Sequence, residues 1–113
     1  MTWDDVCAIA RDLPGVVLGT SYGTPAHKVR GKLITRLRAE EGGTVMVLLL
    51  PIDEVEHLIE TDPACFYQTP HYQGHGAVLV RLPDADPDRV ATLVERAWSI
   101  RASKAQRGMR GAD

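Results

Sequence analysis

The sequence predicts an α+β fold, a two-layer sandwich in which helices cover one face of a mainly antiparallel sheet of about five strands. Three observations predict it. Apolar residues recur at helical spacing in three segments, glycine-containing turns separate short strand-like segments, and the segments follow the order α-β-β-β-α-β-β-α along the 113-residue chain. Short hairpin connections make neighbouring strands antiparallel, and a sheet with one apolar face must be covered by helices.

Capping residues mark where the three predicted helices begin. Thr2 is in the N-cap position of the first helix, and Asp5 follows three residues later, as a capping box requires. Pro51 is expected at the first position of the second helix. The third helix has Asp86 as its N-cap and Pro87 at its first position. Its apolar stripe is expected to face the core, and the helix is expected to run to about Lys104.

Strands are predicted in the apolar segments that turn residues delimit. The segment AHKVRGKLITRL holds two strands that meet around Gly31, which can supply the positive φ of a tight turn. The segment TVMVLLL is the most apolar and is expected at the centre of the sheet. The remaining strands are predicted in VVLGTSYG, CFYQT and AVLVRL.

The length of the chain allows one domain with a single core. We expect this domain over residues 1–106, with a flexible C-terminal tail over residues 107–113. No stretch reaches the roughly 20 apolar residues that span a bilayer, and the N-terminus carries acids where a signal peptide is basic, so a cytoplasmic location is expected. Cys7 and Cys65 lie far apart among apolar residues, which favours buried side chains over a disulfide or metal site.

The charges are segregated along the chain. The formal net charge of −2 argues against a strongly basic nucleic-acid binder. However, nine of the thirteen basic residues lie in two spans that contain no acid, residues 28–38 and residues 101–110. This distribution allows a local positive face on a slightly acidic protein.

The basic hairpin gives the first functional hypothesis, a β-wing whose side chains contact DNA phosphates weakly and largely independently of sequence. Alternation places Lys28 and Arg30 on one face of their strand, and Arg36 and Arg38 on one face of the next. The turn register decides whether the two pairs point the same way. The alternative is a solvated sheet face whose lysines protect an edge. The candidate nucleic-acid-binding residues are Lys28, Arg30, Lys32, Arg36, Arg38, Arg101 and Lys104.

The stretch TPHYQGHGAVLV, residues 69–80, is dense in groups that could bind a metal. His71 and His75 are four residues apart, a spacing that aims two imidazoles at one metal when it falls on a helix. A proline and two glycines in the stretch argue against a helix, and no nearby Cys or acid offers a third ligand. We therefore expect no metal or other cofactor, and predict a turn that leads into a core strand.

The second hypothesis, from another class, is a module that binds a small molecule or a protein in a groove, without catalysis. Tyrosine and histidine side chains would stack on the ligand and hydrogen-bond to it. The candidate residues are Tyr22, His27, Tyr67, His71, Tyr72 and His75. An enzyme is not expected, because the sequence has no P-loop, no GxGxxG, no GxSxG and no complete catalytic constellation.

Three segments carry a family resemblance: TSYGTPAHKVRGKL, TPHYQGHGAVLVRL, and ERAWSIRASK in the terminal helix. Their order makes the chain resemble the MmcQ/YjbR family of small bacterial proteins over residues 2 to about 106. The resemblance implies a CyaY-like fold with a double-wing arrangement, and DNA as a binding partner. None of the three segments is a catalytic signature.

One position departs from the pattern of the family that the chain resembles. After TPA the family usually has an aromatic residue, often Phe, where this chain has His27. In the core His27 would need a polar partner, whereas in a groove it would change the chemistry of that groove. CyaY is the bacterial homologue of frataxin, and frataxin-like iron binding relies on an acidic first helix and an acidic edge. The first helix here has only Asp4, Asp5 and Asp12, so the resemblance implies no iron site.

Overall fold

The computed structural model describes residues 1–39 and 42–111. Within these ranges the chain forms four α-helices and six strands, with one short 3-10 turn at Leu82–Asp84. The helices are α1 (Trp3–Arg11), α2 (Ile52–Thr61), α3 (Pro87–Arg101) and α4 (Lys104–Gly111). The strands are β1 (Val16–Ser21), β2 (Thr24–Val29), β3 (Lys32–Arg38), β4 (Val45–Leu49), β5 (Phe66–Tyr67) and β6 (Ala77–Arg81).

All neighbouring strands pair antiparallel in one sheet of order β1-β2-β3-β4-β6-β5. The predicted α+β sandwich is confirmed, and β4 lies in the interior of the sheet, as expected. The sheet has six strands, however, where about five were expected. The sequence signal is weakest at the two edges, because the four central residues of β1 are exposed and β5 has only two residues.

The two faces of the sheet pack against different partners. Met46 and Leu48 of β4 lie in the main core with residues of α1, α2 and α3. The alternate residues Val45 and Val47 lie in a smaller apolar cluster with Leu79 of β6. Because successive side chains of a strand point to opposite faces, these clusters are on opposite sides of the sheet. We call the helix-covered side the inner face and the other side the outer face.

Trp98 joins α3 to the rest of the inner core. Its side chain is buried, and its indole Nε1 donates a hydrogen bond to the carbonyl of Pro14 at 2.8 Å. Trp3 of α1 is half-buried and packs against the same core. Cys7 is half-buried and Cys65 is buried, neither forms a disulfide, and burial raises the pKa of both thiols. Cys65 lies in the inner core, as expected, whereas Cys7 is only partly buried and lines a cavity beside His27.

Side chains cap two of the helices where the sequence predicts. The Thr2 hydroxyl accepts a hydrogen bond from the Asp5 amide, and the Asp5 carboxylate accepts one from the Thr2 amide, which completes the capping box of α1. Asp86 caps α3 by accepting a hydrogen bond from the amide of Asp88. Pro51 differs slightly from the prediction, because it precedes the first helical residue of α2 rather than occupying it.

Two tight turns join the first three strands. Tyr22 and Gly23 have φ values of 52° and 75°, and Arg30 and Gly31 have φ values of 55° and 75°. Positive φ at both central residues characterises the type I′ turns that close two-residue hairpins. The turn predicted around Gly31 is therefore present, and a second one of the same kind joins β1 to β2.

The C-terminal segment differs from the prediction. α3 ends at Arg101 instead of continuing to about Lys104, because Ala102 is extended, with a ψ of 154°. Residues 107–111, which were expected in a tail, belong to α4. Residues 112–113 lie outside the described residues, and the domain boundary at residue 106 stays a prediction.

A capping box begins α4. The amide of Ser103 donates to the side-chain oxygen of Gln106 at 2.9 Å, and the amide of Gln106 donates to the Ser103 hydroxyl at 3.1 Å. Ser followed three residues later by Gln is a sequence signature of a helix start. This signature could have predicted α4, although no strong apolar run follows it.

Candidate nucleic-acid interface

Arg36 and Arg38 of β3 lie on the outer face. They stand opposite two valines of β4 that belong to the outer apolar cluster, and residues paired across strands share a face. Lys28 lies on the same face, because Ala26, two residues before it on β2, is paired with Arg36. The strand register thus points three basic side chains to one side of the sheet.

Residues 69–76, which we call the outer loop, cover part of this face. The side chain of Tyr72 packs against the outer apolar cluster. The amides of Tyr72 and Gln73 both donate to the carbonyl of Thr69, at 2.9 and 3.1 Å, and the His75 amide donates to the carbonyl of Tyr72 at 2.9 Å. The segment is a hydrogen-bonded turn that leads into β6, which agrees with the prediction for it.

Gln68 closes the outer loop. Its side-chain amide nitrogen lies 2.9 Å from the carbonyl of Tyr72, 3.1 Å from that of His75 and 2.7 Å from that of Ala77, so its two N–H groups are shared among three acceptors. Sequence reasoning missed this residue. Hydrophobic periodicity reports which side chains are buried, but it carries no signal for a side chain that bonds to backbone.

Arg36 is held in place from two sides. Although charged, it is only 8% exposed. Its Nη2 donates to the Tyr72 hydroxyl at 2.5 Å, and its guanidinium carbon lies 5.4 Å from the centroid of the Tyr22 ring, within cation–π range. Tyr22 itself is 90% exposed. Because the guanidinium is already fixed, a ligand that binds to it loses little side-chain entropy.

An open groove of about 610 Å³ lies between the β1–β2 turn and the outer loop. We call it the outer groove. Its lining residues are Tyr22, Thr24, Arg36, Arg38, Ala39, Thr69, His71 and Tyr72. As far as the structure describes the chain, the lining includes two arginines and no carboxylate. The described lining therefore carries positive charge, although the formal net charge of the chain is −2.

The other residues of the predicted basic hairpin lie at its opposite end. Arg30 is in the β2–β3 turn, and its Nη1 donates to the carbonyl of Arg101 at 3.4 Å. Lys32, next to this turn, and Lys104, at the start of α4, are both exposed. The two basic spans thus meet at the β2–β3 turn and not at the outer groove.

Arg101 has a structural role. Its Nη1 donates to the carbonyl of Leu49 at 3.0 Å and to that of Ala97 at 2.9 Å, which ties the end of α3 to the end of β4. Burial lowers the pKa of this guanidinium. These hydrogen bonds occupy donors that the DNA hypothesis assigned to phosphate, and a DNA contact by Arg101 stays a prediction.

The six residues proposed to form a tyrosine- and histidine-lined groove divide between different places. Tyr22, His71 and Tyr72 line the outer groove. Tyr67 is on the outer face, with the guanidinium of Arg81 3.9 Å from its ring centroid. His75 is exposed on the outer loop and outside the groove lining.

The structure does not bring His27 to the outer groove. It is buried on the inner face, where its Nδ1 lies 2.8 Å from the Thr35 hydroxyl and its ring centroid lies 5.0 Å from that of Trp3. Burial lowers the pKa of His27. It is thus a core residue whose polar partner is Thr35, and grouping it with Tyr22 and His71 was wrong, because the pleat points it to the other side.

Among the described residues, His71 and His75 do not belong to a metal-binding cluster. His71 is exposed and makes an edge-to-face contact with Tyr72, with ring centroids 4.9 Å apart. In residues 1–39 and 42–111, no group of three or more His, Cys, Asp or Glu side chains is placed to hold a metal ion. In the same ranges, no helix has the length and apolar character needed to cross a membrane.

The fold and the groove together define a small α+β protein with a basic groove on the uncovered face of an antiparallel sheet. The chain belongs to the YjbR family, because the model of that family matches residues 11–100. This confirms the family that the sequence resembles.

Relatives and a solved structure agree with this assignment. The chain is 29% identical to the uncharacterized protein Rv2570 of Mycobacterium tuberculosis strain H37Rv and to the uncharacterized protein Mb2600 of Mycobacterium bovis, over 91% of this chain and 90% of each relative. Its fold is similar to that of protein DR2400 of Deinococcus radiodurans, a DUF419 domain protein. The two superpose with a TM-score of 0.78 at 17% identity, over 97% of this chain and 88% of that one.

Proposed function

We propose that the protein binds DNA and that the outer groove supplies its phosphate contacts. The observation that carries this proposal is the placement of Arg36 and Arg38 side by side, on a sheet face that the helices leave uncovered. Two residues apart on one strand, they project in the same direction along the groove. A guanidinium presents a planar fork of donors that matches phosphate oxygens, so two neighbouring arginines suit a phosphate backbone.

The expected affinity is weak and sensitive to salt. Each phosphate contact to duplex DNA contributes about −0.9 to the slope of log K against log salt. Arg36 and Arg38 of the groove, together with Lys28 on the same sheet face outside the groove lining, thus predict a slope of about −2.7. Contacts of this kind carry no sequence information. The proposal is therefore a largely sequence-independent DNA-binding protein with no catalytic step.

A fluorescence anisotropy titration of labelled DNA at several salt concentrations tests the proposal. The double variant Lys28→Gln/Arg38→Gln should bind more weakly and reduce the slope by about two phosphate contacts. The matched control is Arg89→Gln/Arg96→Gln, which removes the same charge from α3, where both arginines form ion pairs with acids. Absence of binding at low salt, or an equal loss in both double variants, would overturn the proposal.

A small anionic ligand is the second candidate for the same groove. The volume of about 610 Å³ is within the range of small-molecule sites, about 300–1,000 Å³, and Tyr22, His71 and Tyr72 of the second hypothesis line it. A thermal-shift screen of phosphorylated metabolites would test this candidate, because a specific ligand raises the melting temperature by mass action. No shift with any of them, together with binding to DNA, would reject it.

A further inference from the structure

We infer that the Tyr22 ring stacks on one unstacked base beside the two arginines, so that the protein prefers single-stranded DNA to duplex. The inference rests on the proposed function and specifies which form of DNA the outer groove takes. Two features carry it: the unusual position of Tyr22 and the arrangement of groups around the groove.

The position of Tyr22 is unfavourable for folding in two respects. It is the first central residue of the type I′ turn, with a φ of 52°, where Asn, Asp and Gly are strongly preferred. Its large ring is also 90% exposed, so it contributes little to the core. Residues held in sparsely populated backbone regions cluster at functional sites. A bulky, exposed aromatic in such a turn is therefore explained better by a ligand than by stability.

The groups around the groove match the parts of one nucleotide. The Tyr22 ring has the guanidinium of Arg36 5.4 Å from its centroid, and the residue is 90% exposed to solvent. A base that stacks on this ring brings its own phosphate close to Arg36 and Arg38, which share the groove. The Thr69 hydroxyl and the ring of His71, in the same lining, can hydrogen-bond to the sugar or the base edge. The Thr24 hydroxyl donates to the carbonyl of Ser21 and can therefore only accept a hydrogen bond from the ligand.

Duplex DNA cannot make this stacking contact with Tyr22. In a duplex, both faces of an internal base are covered by neighbouring bases, so an aromatic side chain reaches a face only if the base is unstacked. Phosphate contacts alone, by contrast, do not favour the single strand, because each contact releases more counterions from duplex DNA than from a single strand. The exposed ring is thus the feature that makes the groove selective.

The test compares an oligothymidylate with a duplex that has the same total number of phosphates, by anisotropy at one fixed low salt concentration. Wild-type protein should bind the single strand more tightly. The variant Tyr22→Asn removes the ring but suits the turn, since Asn favours this backbone conformation. It should bind the single strand about 5- to 150-fold more weakly, the equivalent of about 1–3 kcal/mol of stacking, with the duplex affected less than about twofold. Tyr22→Phe, which keeps the ring, should behave like wild type.

The outcomes separate the two proposals. If neither DNA binds, the proposed function and this inference fall together. If both bind but the duplex binds as tightly as the single strand, or if Tyr22→Asn leaves single-strand binding unchanged, only the inference fails. A loss in Tyr22→Phe equal to that in Tyr22→Asn also contradicts it, because the hydroxyl and not the ring would then be the contact.

Discussion

The guanidinium of Arg36 donates a hydrogen bond to the hydroxyl of Tyr72, 36 residues further along the chain. This contact connects the basic strand β3 to the outer loop, and it sets the position of one wall of the outer groove. The loop also carries His71 into the groove lining. The shape of the candidate site therefore depends on interactions between segments that are distant in sequence.

Replacing Tyr72 by Phe should destabilise the protein. The variant leaves the nearly buried Arg36 guanidinium without this acceptor, which costs about 1–3 kcal/mol for an unsatisfied buried polar group. Urea unfolding would measure the change in the free energy of unfolding. The matched control is Tyr67→Phe on the outer face of the sheet. The Arg81 guanidinium lies over the Tyr67 ring and does not depend on the hydroxyl, so this variant should change stability much less. Equal losses in both variants would show that the Arg36 contact is not the cause.

Replacing Gln68 by Glu should open the outer loop. The change puts a carboxylate oxygen where the amide nitrogen now faces three carbonyl oxygens, and like partial charges repel. We expect faster hydrogen exchange at the amides of Tyr72 and His75, with the amides of β4 unaffected. Gln68→Ala, which removes the donor without adding charge, should have a smaller effect. Unchanged exchange in Gln68→Glu would contradict the role assigned to this side chain.

Replacing Arg101 by Met should lower stability without affecting DNA binding. Met keeps most of the apolar stem but loses the donors to Leu49 and Ala97. Hydrogen bonds made by charged groups contribute about 1.5–3 kcal/mol, so a loss of that order is expected in urea unfolding. The control is Arg96→Gln, which removes one positive charge from an ion pair of α3. If the folded Arg101→Met variant binds DNA more weakly than this control does, Arg101 contributes to the DNA interface.

Stability should fall when the pH is lowered through about 6.5, the usual pKa of histidine. Burial lowers the pKa of His27 in the folded protein, so the unfolded chain takes up its proton first, and protonation favours the unfolded state. The Cys7 thiol, which lines the cavity beside His27, does not titrate in this range, since burial raises its pKa.

The measurement is urea unfolding above and below this pH for wild type and His27→Gln, which can still hydrogen-bond to Thr35 but does not titrate. The wild-type protein should lose more stability than the variant on acidification. The control His57→Gln alters an exposed histidine of α2 and should follow wild type. If wild type loses no more stability on acidification than His27→Gln does, His27 is not the source of the pH dependence.

Most of the fold follows from local sequence patterns. The unbroken apolar run of Val45, Met46, Val47 and Leu48 is typical of a strand packed on both faces, and both faces are apolar there. The caps at Thr2 and Asp86 are also local, because each side chain accepts a hydrogen bond from an amide two or three residues further along the chain. The end of α3 was harder to predict, because Arg101 is followed by a break that no glycine or proline marks.

The candidate site was only partly predictable, because strand register decides which side chains meet. Charge segregation identified Arg36 and Arg38, and the aromatic residues of the TPHYQGHG stretch were singled out as contacts. The pairing shifts between His27 and Lys28, where their partners are Thr35 and Leu33. A shift of one residue reverses the faces of a strand, and no sequence signal announced this bulge.

DNA binding in the outer groove is tested most directly by titrating isotopically labelled protein with an oligothymidylate and following the backbone amide chemical shifts. We expect the largest shifts around the outer groove, at Tyr22, Thr24, Arg36, Arg38 and His71, while amides on the exposed side of α3 change little. Shifts concentrated at the Arg30–Lys32 turn and the start of α4, or no shifts at low salt, would contradict it.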